Sequence, residues 1–210
     1  MINTGFYFYF IDAVKNYTEN SIVIDRLWDD VADHYAEESR HYHTIKHLDA
    51  LTNELIEVKE QLYDWNLVVV AIAYHDIIYN PQKNDNEEKS ADHVAKLLSG
   101  LLDKESLERC RHMILATKNH ELNSEKDVNY FIDADLSILG ASSEDYQIYT
   151  KQIRREYDFY PDIIYNQGRQ KVLKHFLGMN KIYKTDYFFK KYEQQARINL
   201  TNELKDLFSN

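Results

Sequence analysis

The stretch Leu67–Asp76, LVVVAIAYHD, limits what this chain can become more than any other. Eight apolar or aromatic residues run without a break and end on an imidazole beside a carboxylate. Such a run is either a buried strand or a helix that is apolar on every side. Alanines recur within it, and the chain around it repeats its apolar residues at helical spacing, which favours the helix. His75 and Asp76 then lie at the inner end of a core helix, where uncompensated polar groups are costly. The bland reading is a buried histidine bonded to a backbone carbonyl, with Asp76 turning the chain. A histidine-rich segment upstream and Asp-Ala-Asp in a later apolar helix argue for more than that.

Composition narrows the architecture. Only 5 glycines and 2 prolines occur in 210 residues, too few for a sheet-and-turn fold. The predicted fold class is all-α, a multi-helix bundle with additional C-terminal helices. It is read as one domain over 1–210, with 1–22 an apolar N-terminal arm or short helix and 141–210 a helical extension packed on the core. Within the arm, Phe6, Phe8 and Phe10 alternate with tyrosines at a strand-like period, but no partner strand is evident. The formal charge of -10 speaks against a polymeric nucleic-acid or anionic-membrane surface. The single Cys110 excludes an intrachain disulfide framework and suits a reducing, cytoplasmic setting. No leader pattern and no run of transmembrane length is seen.

Helical stripes follow in order. Ile24, Leu27, Trp28, Val31 and Tyr35 mark one helix. RHYHTIKH (Arg40–His47) opens the next, with Leu48, Leu51, Leu55, Val58 and Leu62 on its apolar face. The His-Asp helix closes near Pro81. Further helices are expected over Ala91–Leu101, Leu107–Lys118, Val128–Leu139, from Ser143 through Tyr157, over Pro161–Gly178 and over Thr185–Phe208.

His43 and His47 are four apart and would share a helical face. They lack the glutamate of an HExxH zinc motif, since Thr-Ile-Lys stands between them. His47 is read as a core-edge hydrogen-bonding residue. Positions two apart on a helix point about 200° away from each other, so Asp133 and Asp135 can be separated. Asp135 falls on the stripe of Val128, Ile132 and Leu139, facing the core. Asp133 falls on a more polar stripe. A core-facing Asp135 needs a metal ion or an arginine beside it.

These segments resemble the HD superfamily of metal-dependent phosphohydrolases, whose pattern is a histidine, a distant His-Asp doublet and a final aspartate on a helical core. The chain is most similar to a family of small predicted HD phosphohydrolases, through RHYHTIKH, YHDIIY, DNEEKSA, ILATKNH, DADLSILG, IRREY, GRQKVLKHFL and ARINLTNEL. Together these cover most of residues 35 to 204. The resemblance implies metal ligands His43, His75, Asp76 and Asp135. One nucleotidase branch carries a glutamate where this chain has Tyr79, so that branch's substrate does not transfer.

A set of two imidazoles and two carboxylates suits Mn, Fe, Ni, Co or Zn better than Mg. Asp76 would orient water or bridge a second ion. His120, Glu87 and Glu88 are candidates for a second ion or for proton transfer, and Arg40 and Lys118 for phosphate contacts. The expected substrate is a small phosphorylated metabolite, a nucleotide among the options, and a homo-oligomer is compatible. Two other classes remain open: a metal- or ligand-binding sensor without turnover, and a structural protein-binding helical domain.

Overall fold

The computed structural model describes residues 5–209. The first four residues of the expected N-terminal arm, and residue 210, lie outside the described residues. Among the described residues there are ten α-helices and no strand. None of these helices is long and apolar enough to cross a membrane. The chain divides into two units, Met1–Ala134 and Asp135–Asn210.

The first unit is built on α4 (Trp65–Tyr74). Every residue from Leu67 to Tyr74 is buried, so the run that is apolar on all sides is covered on all sides. Asp64 starts the helix by accepting the Leu67 N–H at 3.0 Å. Against α4 pack α1 (Gly5–Lys15), α3 (Ile45–Ile56), α5 (Asn86–Leu98) and α6 (Lys104–Ala116); α2 (Ser21–Tyr35) packs on α1, and α7 (Lys126–Asp135) ends the unit.

The aromatic N-terminal segment is a helix. Phe6, Phe10, Ala13 and Val14 keep a helical spacing and are buried, while Phe8 turns outward. The strand-like alternation is overridden because Phe6 and Phe10 together reach the Trp28 ring, and Phe10 also meets Tyr74 of α4. The Phe6 N–H, one of the unpaired donors of the first turn, is taken by Asp49 Oδ1 at 2.7 Å.

Several helix ends fall short of the periodic pattern. α3 stops at Ile56, and a 3-10 turn at Lys59–Gln61 takes over. α4 stops at Tyr74 rather than near Pro81, so the His-Asp doublet lies in its exit turn. α7 stops at Asp135 and continues as a 3-10 turn, Leu136–Gly140.

The second unit consists of that 3-10 turn, α8 (Ser143–Glu156), α9 (Asp162–Gly178) and α10 (Asp186–Ser209). Its hydrogen bonds converge on the turn. Asn199 Nδ2 donates to the Leu139 and Ala141 carbonyls, both at 2.9 Å, and the Tyr183 hydroxyl donates to the Leu136 carbonyl. Elsewhere in the unit the buried Arg169 forks onto Glu203 at 2.7 and 3.0 Å.

At Gly140 the turn lies tight against α10: a Cβ there would stand 2.5 Å from Tyr192 Cβ and 2.8 Å from its carbonyl oxygen. Backbone cannot yield as a flexible side-chain tip can. Gly140→Ala is therefore expected to destabilise the fold by about 1–3 kcal/mol, read as a lowered urea midpoint. An unchanged midpoint would show that the turn and α10 separate at no cost. Burial pushes the Cys110 thiol up to about 12. It should accordingly resist thiol reagents at neutral pH until the protein is unfolded, as a time course with and without denaturant will show.

Candidate metal centre

His75 is the residue from which the site is built. It follows the last turn of α4, its N–H bonded to the Ala71 carbonyl, and its ring is entirely buried. Nδ1 lies 2.9 Å from the Ile72 carbonyl oxygen, which only accepts, so Nδ1 carries the proton of that bond. In a neutral ring the lone pair is then on Nε2. That atom stands 3.2 Å from His47 Nε2 and 3.1 Å from Asp76 Oδ2. A neutral His75 has no proton left to offer the Asp76 carboxylate. The junction suits a cation, whether a second proton on the ring or a metal ion.

His47, His75 and Asp135 form a group whose ligand atoms all lie within 4.8 Å of one another. His47 and His75 are buried and Asp135 half-buried. Asp135 is held there by α7, whose body belongs to the first unit and whose last residue it is. Metal–donor bonds of about 2.0–2.2 Å put adjacent donors about 3–3.5 Å apart, and the His47–His75 spacing falls in that range. The donor set thus fits a divalent transition ion, with His75 oriented by a backbone carbonyl as ligating histidines usually are.

The grouping takes His47 where the sequence reading took His43. His43 cannot share a helical face with His47, because α3 begins only at Ile45 and Thr44 before it is extended (φ -115°, ψ 177°). Instead His43 Nε2 lies 3.8 Å from Asp76 Oδ2, at the rim, and its ring rests on that of Tyr79 with centroids 4.3 Å apart. His75 and Asp135 are in the group. Asp76 adjoins it through His75. Asp133, expected on a polar face, is fully buried because α7 is covered on more than one side.

The remaining residues read as site candidates lie as follows. Arg40 is buried, and its guanidinium goes to the Asp76, Ile77 and His43 carbonyls and to Glu37 rather than to open space. Lys118 Nζ bonds Glu88 Oε1 at 2.5 Å and the Asn84 carbonyl at 2.7 Å, and stands 3.9 Å from Glu87. Glu88 is exposed, and its bond to Lys118 holds its carboxyl below the ordinary range. Glu87 is half-buried. Desolvation raises its carboxyl above the ordinary range, with the nearby Asp76 charge adding to the effect and Lys118 opposing it. His120 is outside the metal group. It ends the α6 segment in the left-handed region (φ 52°), its N–H on the Ala116 carbonyl, a position glycine or asparagine usually fills.

His47 was missed for lack of a helix start. Thr44, a residue type common at N-caps, stands immediately before the apolar spacing of α3 and marks His43 as lying outside the helix. Comparison with protein-family models, curated proteins and solved structures gives no match.

His47→Ala should abolish stoichiometric binding of zinc or cobalt, and His43→Ala should leave one equivalent bound. Metal analysis after dialysis reads both. The reverse order would return the ligand role to His43.

Proposed function

We propose that this chain is a metal-dependent phosphohydrolase of the HD type, acting on a phosphate ester or phosphoanhydride of a small metabolite, nucleotides included. The observation that carries the reading is the His75 ring: fixed by the Ile72 carbonyl, it turns Nε2 toward His47 and Asp76. Asp135 lies within the same reach. The series of motifs that resembles small HD phosphohydrolases supports it from the sequence.

A divalent ion held by His47, His75 and Asp135 would polarise a phosphoryl oxygen and acidify a water molecule. The protein's own groups do the rest. Asp76 lies beside the His75 ligand nitrogen and is half-buried, a position from which its carboxylate can align water for attack on phosphorus. Glu87 keeps a proton to a higher pH than an ordinary glutamate and is coupled to Asp76, which suits it to protonate a leaving oxygen. Lys118 is the cation for the substrate phosphate, and Glu88 competes for it in the resting protein.

A metal-bearing sensor without turnover is the second reading. It is favoured by one observation: the donors of Arg40 and Lys118 are already engaged. Metal analysis of protein purified without added metal, followed by a panel of phosphate monoesters and nucleotides, separates the two. Release of phosphate that depends on the bound ion is the expected result. A bound ion with no turnover across the panel would leave the sensor.

Asp76→Ala is expected to lower turnover at least about 10²-fold with helical content retained. Equal activity in the folded variant would remove Asp76 from the mechanism. Glu88→Gln should lower KM, because it releases Lys118 to the substrate. A raised KM in steady-state assays would mean that Glu88 holds Lys118 in its working position.

A further inference from the structure

We infer that Arg40 is a positioning residue for the metal centre: its guanidinium cross-links the segment that launches α3 to the turn that follows α4, and so sets the separation of His47 from His75 and Asp76. The inference rests on the metal reading above and assigns Arg40 a role other than contact with phosphate.

The geometry is specific. The Arg40 side chain is 0% exposed. Nη1 donates to the Asp76 carbonyl at 2.7 Å and to the His43 carbonyl at 3.4 Å, Nη2 donates to the Ile77 carbonyl at 2.9 Å, and Nε donates to Glu37 Oε2 at 3.1 Å. Both Asp76 and Ile77 lie past the end of α4, where the helix supplies no donor for their carbonyls. His43 precedes the Thr44 cap, and His47 sits in the first turn of the helix that Thr44 opens. One planar group therefore fixes the peptide of Asp76 and the approach to His47 together.

Two rings keep that plane from turning. The guanidinium carbon lies 4.8 Å from the centre of the Tyr35 ring and 5.4 Å from that of Tyr79, and Tyr79 in turn rests on His43. A lysine at 40 would keep the charge but not the fork or the stacking surface. Three carbonyls cannot be held by an ammonium on a flexible stem with the same geometry.

The clamp has a measurable consequence. Groups that orient metal ligands typically govern affinity by about 10–100-fold when replaced. Arg40→Lys should therefore weaken zinc or cobalt binding by about that factor, measured by competition with a chromophoric chelator. At saturating metal its affinity for inorganic phosphate should match that of the unaltered protein. Folding is followed by circular dichroism, and His75→Ala serves as the control for the centre itself. Arg40→Lys that binds metal as tightly as the unaltered protein, while His75→Ala loses it, overturns the positioning role and leaves the metal reading standing. Equal metal content in the unaltered protein and His75→Ala overturns both. Weakened phosphate binding with metal affinity intact returns Arg40 to the substrate. A Lys variant that unfolds even with metal present assigns Arg40 to the core and overturns the inference. Recovery of metal affinity in Arg40→Ala by added guanidinium ion would support the clamp, because only the missing planar donor is resupplied.

Discussion

The hydrogen bond from His75 Nδ1 to the Ile72 carbonyl is the interaction on which the rest of the site depends. It fixes which ring nitrogen faces the interior, and it does so with a backbone group that cannot change protonation. Once Nε2 is committed inward, the short approaches of His47 Nε2 and Asp76 Oδ2 make a junction suited to positive charge. α4 brings the doublet there because it is buried from Leu67 onward: the apolar run drives the helix into the middle of its unit and carries the doublet with it. A single sequence feature thus yields both the core of the unit and the location of its chemistry.

The electrostatics around the doublet are arranged in two layers. Beneath and to the side, the buried guanidinium of Arg40 satisfies carbonyls that no helix partner reaches. Further out, Glu87, Glu88 and Lys118 form a linked acid–base group: the bond between Glu88 and Lys118 lowers the carboxyl and raises the ammonium, while Glu87 is the carboxyl raised above its ordinary range. The difference follows from position. Glu88 is exposed and directly bonded to the lysine, whereas the half-buried Glu87 meets desolvation and the Asp76 charge, which Lys118 only partly offsets. Adjacent carboxylates in one helical turn are thereby set to different proton affinities.

Helical content was legible over most of the chain, where apolar residues recur three and four apart; over Phe6–Phe10 a strand-like alternation left it open, and packing on Trp28 decided it. Asp135 joins the group, but not as its stripe implied: it is half-buried, while Asp133 is the fully buried carboxylate of the pair. What failed depended on where a helix begins or how many sides it buries. His43 and His47 look equivalent at a spacing of four until the helix is seen to start between them, at Thr44. Asp133 looks polar-facing until α7 is seen to be covered on more than one side. Arg40 reads as a phosphate ligand beside histidines, and nothing in the sequence shows that three carbonyls distant in the chain will take its donors. Carbonyl partners of this kind leave no side-chain signature.

Anomalous diffraction at the metal edge, from crystals of protein loaded with zinc or cobalt, tests the central claim most directly. The account predicts one strong peak about 2.0–2.2 Å from His47 Nε2, His75 Nε2 and a carboxylate oxygen of Asp135. A peak held by other residues, or none there while His75 keeps its bond to Ile72 and a proton bridges it to Asp76, would contradict it.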